Sequence, residues 1–140
     1  MRDFMTIKTY NELPAEAAKI REEVFVREQG FREEFDTVDN SACHIVLFLD
    51  GKAVATCRYF PDGDSYKVGR IAVLKNYRGR NFGSAVLLEA EKQIAMLGGR
   101  SVILHSQLQA CGFYEKLGYV PYGEIEPEEG CPHIWMKKEL

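Results

Sequence analysis

The sequence predicts a single α/β domain with a mixed, mostly antiparallel sheet flanked by helices. Three observations carry that prediction. Two β-prone runs, Cys43 to Leu49 and Lys52 to Phe60, are joined by Asp50-Gly51, a dipeptide that favours a tight hairpin turn. A well-patterned helix, Ser84 to Leu97, separates the strand-like run ending at Leu74 from the strand-like run Ser101 to Ser106. Such a crossover implies parallel pairing or proximity of those two strands. Strands and helices do not alternate throughout, which excludes a doubly wound nucleotide fold.

The elements follow in order. Met5 to Tyr10 reads as a first strand. Pro14 opens a helix at its first turn, where a missing N–H costs little, and the helix runs to about Glu28. Ala17, Ile20, Arg21, Val24 and Glu28 share one stripe at helical spacing. A carboxylate ending that stripe is either a frayed last turn or a group facing a cleft, with its pKa raised by desolvation. Residues 29 to 42 form an acidic loop with Glu33, Glu34, Asp36 and Asp39. After the hairpin, Pro61-Asp62-Gly63-Asp64 is a second turn and Tyr66 to Leu74 a third antiparallel strand. In the following helix Val86, Leu87, Ala90, Ile94 and Leu97 share a face, and Gly98-Gly99 stops it. Leu108 to Leu117 is a short helix ended by Gly118, and two β segments close the chain around Glu126-Pro127-Glu128-Glu129-Gly130. The order is β-α-β-β-β-α-β-α-β-β, one domain over residues 1–140 with no repeats or linkers.

Composition narrows the class. Hydrophobic residues make up 46% and charged residues 28%, which suits a folded, soluble domain. A net charge of −3 without a Lys/Arg block argues against nucleic acid as a partner. No apolar run reaches a membrane span, and Met1-Arg2-Asp3-Phe4 lacks a signal-peptide core, so the cytoplasm is the expected location. Four cysteines (Cys43, Cys57, Cys111 and Cys131) form no C-x-x-C pair and have no zinc-site spacing. They read as reduced thiols, and no metal is expected.

Tyr77-Arg78-Gly79-Arg80-Asn81-Phe82-Gly83-Ser84 lies at a strand-to-helix junction. A glycine-bearing loop there points backbone N–H groups outward at the positive end of a helix dipole, which suits a pyrophosphate. It is neither a Walker A loop nor a dinucleotide fingerprint, but it fits Arg-x-x-(Gly/Asn)-x-Gly.

Together with the preceding Gly69-Arg70-Ile71-Ala72-Val73, this octapeptide resembles the acetyl-coenzyme A signature of the GNAT N-acetyltransferases. Gln107-Leu108-Gln109-Ala110-Cys111-Gly112-Phe113-Tyr114-Glu115-Lys116-Leu117-Gly118-Tyr119 is similar to the family's Ala-x-x-(Leu/Phe)-Tyr-x-x-x-Gly-(Phe/Tyr) segment. Val24 to Gly30, Leu104 to Gln107 and Gly130 to His133 resemble the small ElaA/YjcF-like branch. Two departures stand out. Asn81 occupies a position that is usually glycine, where it is the next most tolerant residue of positive φ. Gln107 stands where many relatives carry asparagine.

The resemblance implies transfer of an acetyl group from acetyl-CoA directly to a primary amine, with a small-molecule acceptor expected. The implied cofactor contacts are Ile71, Ala72, Val73, Arg78, Gly79, Arg80, Asn81, Phe82, Gly83, Ser84, Gln107 and Tyr114. Tyr114 would also be the general acid for the leaving thiolate, against the alternative of a core tyrosine with its hydroxyl at the rim. Family likeness also implies that the strands around Val73 and Leu104 splay to admit the pantetheine arm.

The acceptor amine is an ammonium near neutral pH, so a proton must leave before attack. His105 alternates with Gln107 and faces the same side of its strand. His133, Glu28 and a water relay are the other routes for that proton. Branch similarity adds Glu128 as a substrate contact. Arg58 and Arg70 lie on predicted strands, and Glu28 is the expected partner of Arg70. A catalytically silent acyl-CoA-binding module is the rival reading. Dimers are common among such relatives, so a homodimer stands as an open expectation.

Overall fold

The structure, a computed structural model, describes residues 4–32 and 35–140. Glu33 and Glu34 of the acidic loop therefore lie outside the described residues. The strands are β1 (Met5–Tyr10), β2 (Cys43–Leu49), β3 (Lys52–Asp62), β4 (Ser65–Val73), β5 (Ser101–Gln107), β6 (Val120–Glu128) and β7 (Cys131–Glu139). The helices are α1 (Ala15–Arg21), α2 (Phe82–Met96) and α3 (Cys111–Lys116). Among the described residues the strands form one seven-stranded sheet, ordered β1-β2-β3-β4-β5-β7-β6. Every neighbouring pair is antiparallel except β4 with β5. The mixed, mostly antiparallel α/β architecture and its element order are those the sequence predicts.

Boundaries differ in several places, among them the closing turn, which narrows to Glu129-Gly130 because β6 runs to Glu128. Pro61 and Asp62 continue β3, so the second turn narrows to Gly63-Asp64. Pro61 is tolerated because β2 has already ended, at the Cys43–Tyr59 pair, leaving no ladder partner on that side. The first helix changes winding: Glu22–Glu28 is π-helical, with Gln29 N donating to Val24 O at 3.1 Å. Helix α2 starts at Phe82, two residues early, because Asn81 adopts the left-handed conformation (φ 67°) just before it. The expected helix from Leu108 divides into a 3-10 turn, Leu108–Ala110, and α3.

The sheet has two unlike faces. Ala55, Cys57 and Tyr59 of β3 point with Ile45 and Leu47 of β2 toward α2, whose Val86, Leu87, Ala90 and Ile94 are fully buried. The alternate residues, Thr56 and Arg58, turn toward α1. There the apolar contact is small, built on Ile20, Val24, Phe25 and Ala72. A charged layer completes it. Arg21 donates twice to Asp39, at 2.8 and 3.0 Å, and Arg58 donates to Asp39 at 2.8 Å and to Asp36 at 2.6 Å. Arg21, Arg58 and Asp39 are all buried.

One local break positions everything that follows. Arg58 pairs with Gly69 and Thr56 with Ala72, so Arg70 and Ile71 together oppose Cys57. Arg70 takes φ 51° in this bulge, a left-handed conformation that costs a non-glycine residue about 1–2 kcal/mol. Just ahead of the bulge β4 leaves β5. Their pairing is confined to Tyr66–Val102 and Lys67–Ile103, after which a cleft opens between them.

Candidate active site

The cleft holds two adjoining cavities. One, of about 760 Å³, follows the end of β4, the loop after it, the start of α2 and one side of α3. The other, of about 520 Å³, lies over the β4 bulge, β5 and the turn at Glu128-Glu129. Gln29, Ile71, Arg78, Ala110 and Tyr114 wall both, so the two spaces meet at Tyr114.

The larger cavity is lined for an anion. Gly79 (φ 77°) and Asn81 (φ 67°) both sit in the left-handed region, which turns the loop back onto α2. No side chain caps α2. Ala85 N is the first amide of the helix to bond within it, to Asn81 O at 3.0 Å. The amides of Phe82, Gly83 and Ser84 thus stand at the dipole's positive end. Gly83 leaves open the space in front of Phe113 and Val73: an added Cβ would lie 3.5 and 3.6 Å from their side chains. These features fit a pyrophosphate-bearing ligand.

β4 presents the second set of donors. Leu74 N donates to Val54 O at 2.9 Å, so by strand alternation Leu74 and Ala72 turn their backbone groups toward β3. Ile71 and Val73 then turn theirs into the cleft, away from any strand partner. All three of Ile71, Ala72 and Val73 line the cavity, as do Arg78, Gly79, Asn81, Phe82, Gly83 and Ser84. Arg80 lies outside both walls and stacks on Phe82 at 5.2 Å. Gln107 lies in the wall of the smaller cavity, where it donates to Gln29 at 2.8 Å and accepts from Gln109 at 2.5 Å.

The expected pairing of Glu28 with Arg70 is corrected. Glu28 accepts two hydrogen bonds from Arg78, at 2.6 and 2.7 Å, and Arg78 Nε donates to Val73 O at 3.0 Å. These bonds from Arg78 hold the Glu28 carboxyl below its ordinary value, the opposite of a group raised by desolvation. Arg70 instead lies 3.4 Å from Asp36, at the edge of the charged layer. The cause is the bulge, which displaces Arg70, and the π-helical turn, which carries Glu28 to the loop. Arg78 is correspondingly a brace rather than a guanidinium directed at the anion site.

Tyr114 is half-buried, with Phe113 and Tyr119 edge-on at 5.0 and 6.0 Å. Burial pushes its phenol above the ordinary value, so it stays protonated at the meeting point of the cavities. Its ring packs on the core and also lines the cleft.

Three other site candidates converge at the far end of the smaller cavity. His105 Nδ1 is 3.3 Å from one Glu128 oxygen and His133 Nε2 is 3.4 Å from the other. The imidazoles stack with centroids 4.9 Å apart, and Trp135 stacks on His105 at 4.5 Å. Arg70 lies on the same cavity's wall, whereas Glu28 and His133 stand just behind the walls. Among the described residues no cluster has the makings of a metal site.

Several wall residues escaped sequence reasoning: Lys67, Phe25, Phe31 and Gln29, with Trp135 behind them. Trp135 was accessible to it, since it alternates with His133 on one strand and is the chain's one tryptophan. Lys67 was not. Its place depends on pairing with Ile103 across the crossover, and burial lowers the pKa of its ammonium, which lies 5.0 Å over Trp135.

Known proteins resemble this chain in sequence and fold. Residues 9–140 match the model of the acetyltransferase (GNAT) domain. The uncharacterized N-acetyltransferase YjcF of Bacillus subtilis is 38% identical over 127 residues, covering 89% of this chain and 91% of that one. The crystal structure of Escherichia coli ElaA superimposes with a TM-score of 0.85 at 25% identity, covering 97% of this chain and 100% of ElaA. An acyl-CoA N-acyltransferase from Pseudomonas aeruginosa shares the fold, with a TM-score of 0.83 at 23% identity and coverage of 98% and 99%. With the family model spanning almost the whole chain and the signature loop lining the cleft, this protein belongs to the GNAT acetyltransferase family, in its ElaA/YjcF-like branch.

Proposed function

We propose that this protein is an acetyl-CoA-dependent N-acetyltransferase acting on a primary amine of a small molecule. The observation that carries the reading is the single cleft in which Tyr114 borders both the anion-lined cavity and the smaller one. Acetyl-CoA supplies an acyl group activated as a thioester. Its pyrophosphate fits the amides of Phe82 to Ser84, and its pantetheine arm fits the split between β4 and β5. The smaller cavity, about 520 Å³, suits a small acceptor, and Glu128 offers a half-exposed carboxylate for an ammonium.

The residues divide the work as follows. Backbone N–H groups of Ile71 and Val73 stabilise the oxyanion that develops on the acyl oxygen. Tyr114, kept protonated by burial, donates its proton to the departing sulfur. Gln107 holds Gln29 and Gln109 across the mouth of the acceptor cavity. Among the described residues no helix is long and apolar enough to cross a membrane. We place the activity in the cytoplasm, in keeping with four unpaired thiols.

The test is thiol release from acetyl-CoA against a panel of primary amines, amino sugars and peptides, together with a Tyr114→Phe variant. Turnover of a small amine, lowered at least about 100-fold in kcat by Tyr114→Phe with little change in CoA affinity, is expected. Tight CoA binding with no turnover across the panel would refute the enzyme and leave an acyl-CoA-binding module.

A further inference from the structure

The wall of the smaller cavity carries Lys67, Arg70, Arg78, Glu128 and Glu129, and three of these charges are already engaged. Arg78 is bound to Glu28, Arg70 lies 3.4 Å from Asp36, and Glu129 accepts from the Arg32 backbone at 3.1 Å. The other two are of opposite sign. Among the described residues Glu128 has only the imidazoles of His105 and His133 within ion-pair distance. Lys67 has no carboxylate within that distance and no hydrogen-bond acceptor among the described residues; its ammonium lies 5.0 Å over the Trp135 ring instead.

Both groups are fixed by the sheet. Lys67–Ile103 is the last pair between β4 and β5, so Lys67 stands where the split closes. Ile103 alternates with His105, which pairs with Trp135, so Lys67 shares a face with the stacked rings. Glu128 is held to the same stack by one oxygen on each imidazole. Burial lowers the pKa of Lys67, which Glu128 and Asp62 oppose and Arg58 and Arg70 reinforce. An ammonium has three donors, and an aromatic face accepts none of them well. Unlike His105 Nε2, which is fully covered, the Lys67 nitrogen keeps surface open to the cavity, so a ligand can reach it.

We propose that the acceptor is an amino acid, with Lys67 binding its carboxylate and Glu128 its amino group as the ammonium. This rests on the acetyltransferase reading above. A cation and an anion held apart in one cavity, neither neutralised by the protein, are complementary to a zwitterion. A plain amine meets Glu128 but brings a second positive charge toward Lys67. An amino acid meets both, and its carboxylate gives the Lys67 donors charge-assisted hydrogen bonds in place of water. Lys67 then acts on specificity, since it touches the acceptor away from the reacting nitrogen.

The experiment compares amino acids with the amines that differ only in lacking the carboxylate. Thiol release from acetyl-CoA is measured for the native protein, Lys67→Met and Lys67→Arg. Methionine keeps an apolar stem over Trp135 and removes the charge. The native protein should favour the amino acids about 10- to 100-fold in kcat/KM. Lys67→Met should raise KM for the amino acids by a similar factor, change kcat less, and lower KM for the plain amines. Lys67→Arg should restore much of the preference. In a second arm, calorimetry of the same ligands against CoA-loaded protein reads the preference without turnover.

A native protein that acetylates plain amines as well as amino acids overturns the proposal, needs no variant to do so, and leaves the acetyltransferase reading standing. A preference for amino acids that survives in Lys67→Met overturns the role of Lys67. CoA binding with no turnover on either class overturns the acetyltransferase reading, and the calorimetric arm then decides the zwitterion site alone: equal binding of both classes overturns it, and tighter binding of amino acids that is lost in Lys67→Met upholds it.

Discussion

Acid should weaken the charged layer beneath α1 while the apolar core on the α2 face stays intact. Asp39 is 4% exposed and lies between two guanidiniums. Burial pushes its carboxyl up, but hydrogen bonds from Arg21 and Arg58 outweigh burial and bring it from an ordinary 3.8 to about 2. The folded value lies below the unfolded one, so the carboxylate's contribution is complete above about pH 5 and is lost as pH falls toward 2. At about 1.4 kcal/mol per unit, the shift amounts to about 2 kcal/mol. Asp36, held low chiefly by its hydrogen bond from Arg58, acts in the same direction. The assay is urea unfolding followed by circular dichroism from about pH 7 to pH 2, on the native protein and Asp39→Asn. The variant should begin about 3–5 kcal/mol less stable, because two buried guanidiniums lose their shared carboxylate. The gap between the proteins should then narrow by about 2 kcal/mol on acidification. A gap of constant size down to pH 2 would mean that Asp39 titrates as an ordinary carboxyl and that the layer does not depend on its charge.

Two further outcomes test the anion loop. Asn81→Gly relieves a left-handed strain of about 1 kcal/mol and loosens the unfolded chain by a similar amount, so the melting temperature should barely move. CoA affinity by calorimetry should stay level or tighten up to about fivefold, and a marked loss would mean that the loop holds its anion in some other way. Gly83→Ala should fold normally, since its new Cβ meets Phe113 and Val73 at 3.5 and 3.6 Å, ordinary contact distances. CoA binding should still fall about tenfold, because the methyl group keeps the phosphate from the backbone. An unchanged affinity would place the pyrophosphate elsewhere.

What the sequence revealed, and what it hid, follows from the range of the interactions involved. The β2–β3 hairpin was legible because Asp50 and Gly51 both take positive φ, and that demand is local. Helix α2 was legible from its stripe, and the loop before it from its glycines and Asn81. Grouping His105 with Gln107 needed only strand alternation. The bulge at Arg70 was not legible, since nothing in Gly69-Arg70-Ile71 announces an extra residue until β3 is laid beside it. The π-helical turn at Glu22–Glu28 was hidden for a similar reason: its stripe looked α-helical, and only packing on the sheet selects the wider winding. The mistaken pairing of Glu28 with Arg70 descends from these two irregularities. The convergence of Glu128 with two histidines also escaped, because it depends on the register of β5, β7 and β6.

Arg78 shows how such errors affect the reading of function. As a sequence it is one of two arginines in a candidate phosphate loop, and its charge invites assignment to the phosphate. In the structure its guanidinium spans Glu28 at the end of the first helical segment and the Val73 carbonyl at the end of β4. With side chains 40% and 34% exposed, the ion pair contributes at most about 1 kcal/mol to stability. Its consequence is therefore geometric. It fixes the loop before α2 to the helical segment that walls the smaller cavity, and Arg78 itself lines both cavities. The same pairing sets the Arg78 guanidinium against the neighbouring Glu28 carboxylate, offsetting a charge that would oppose the pyrophosphate of the proposed cofactor. A loop anchored in this way holds the two cavities in register at Tyr114, which is where the proposed function needs its two substrates to meet.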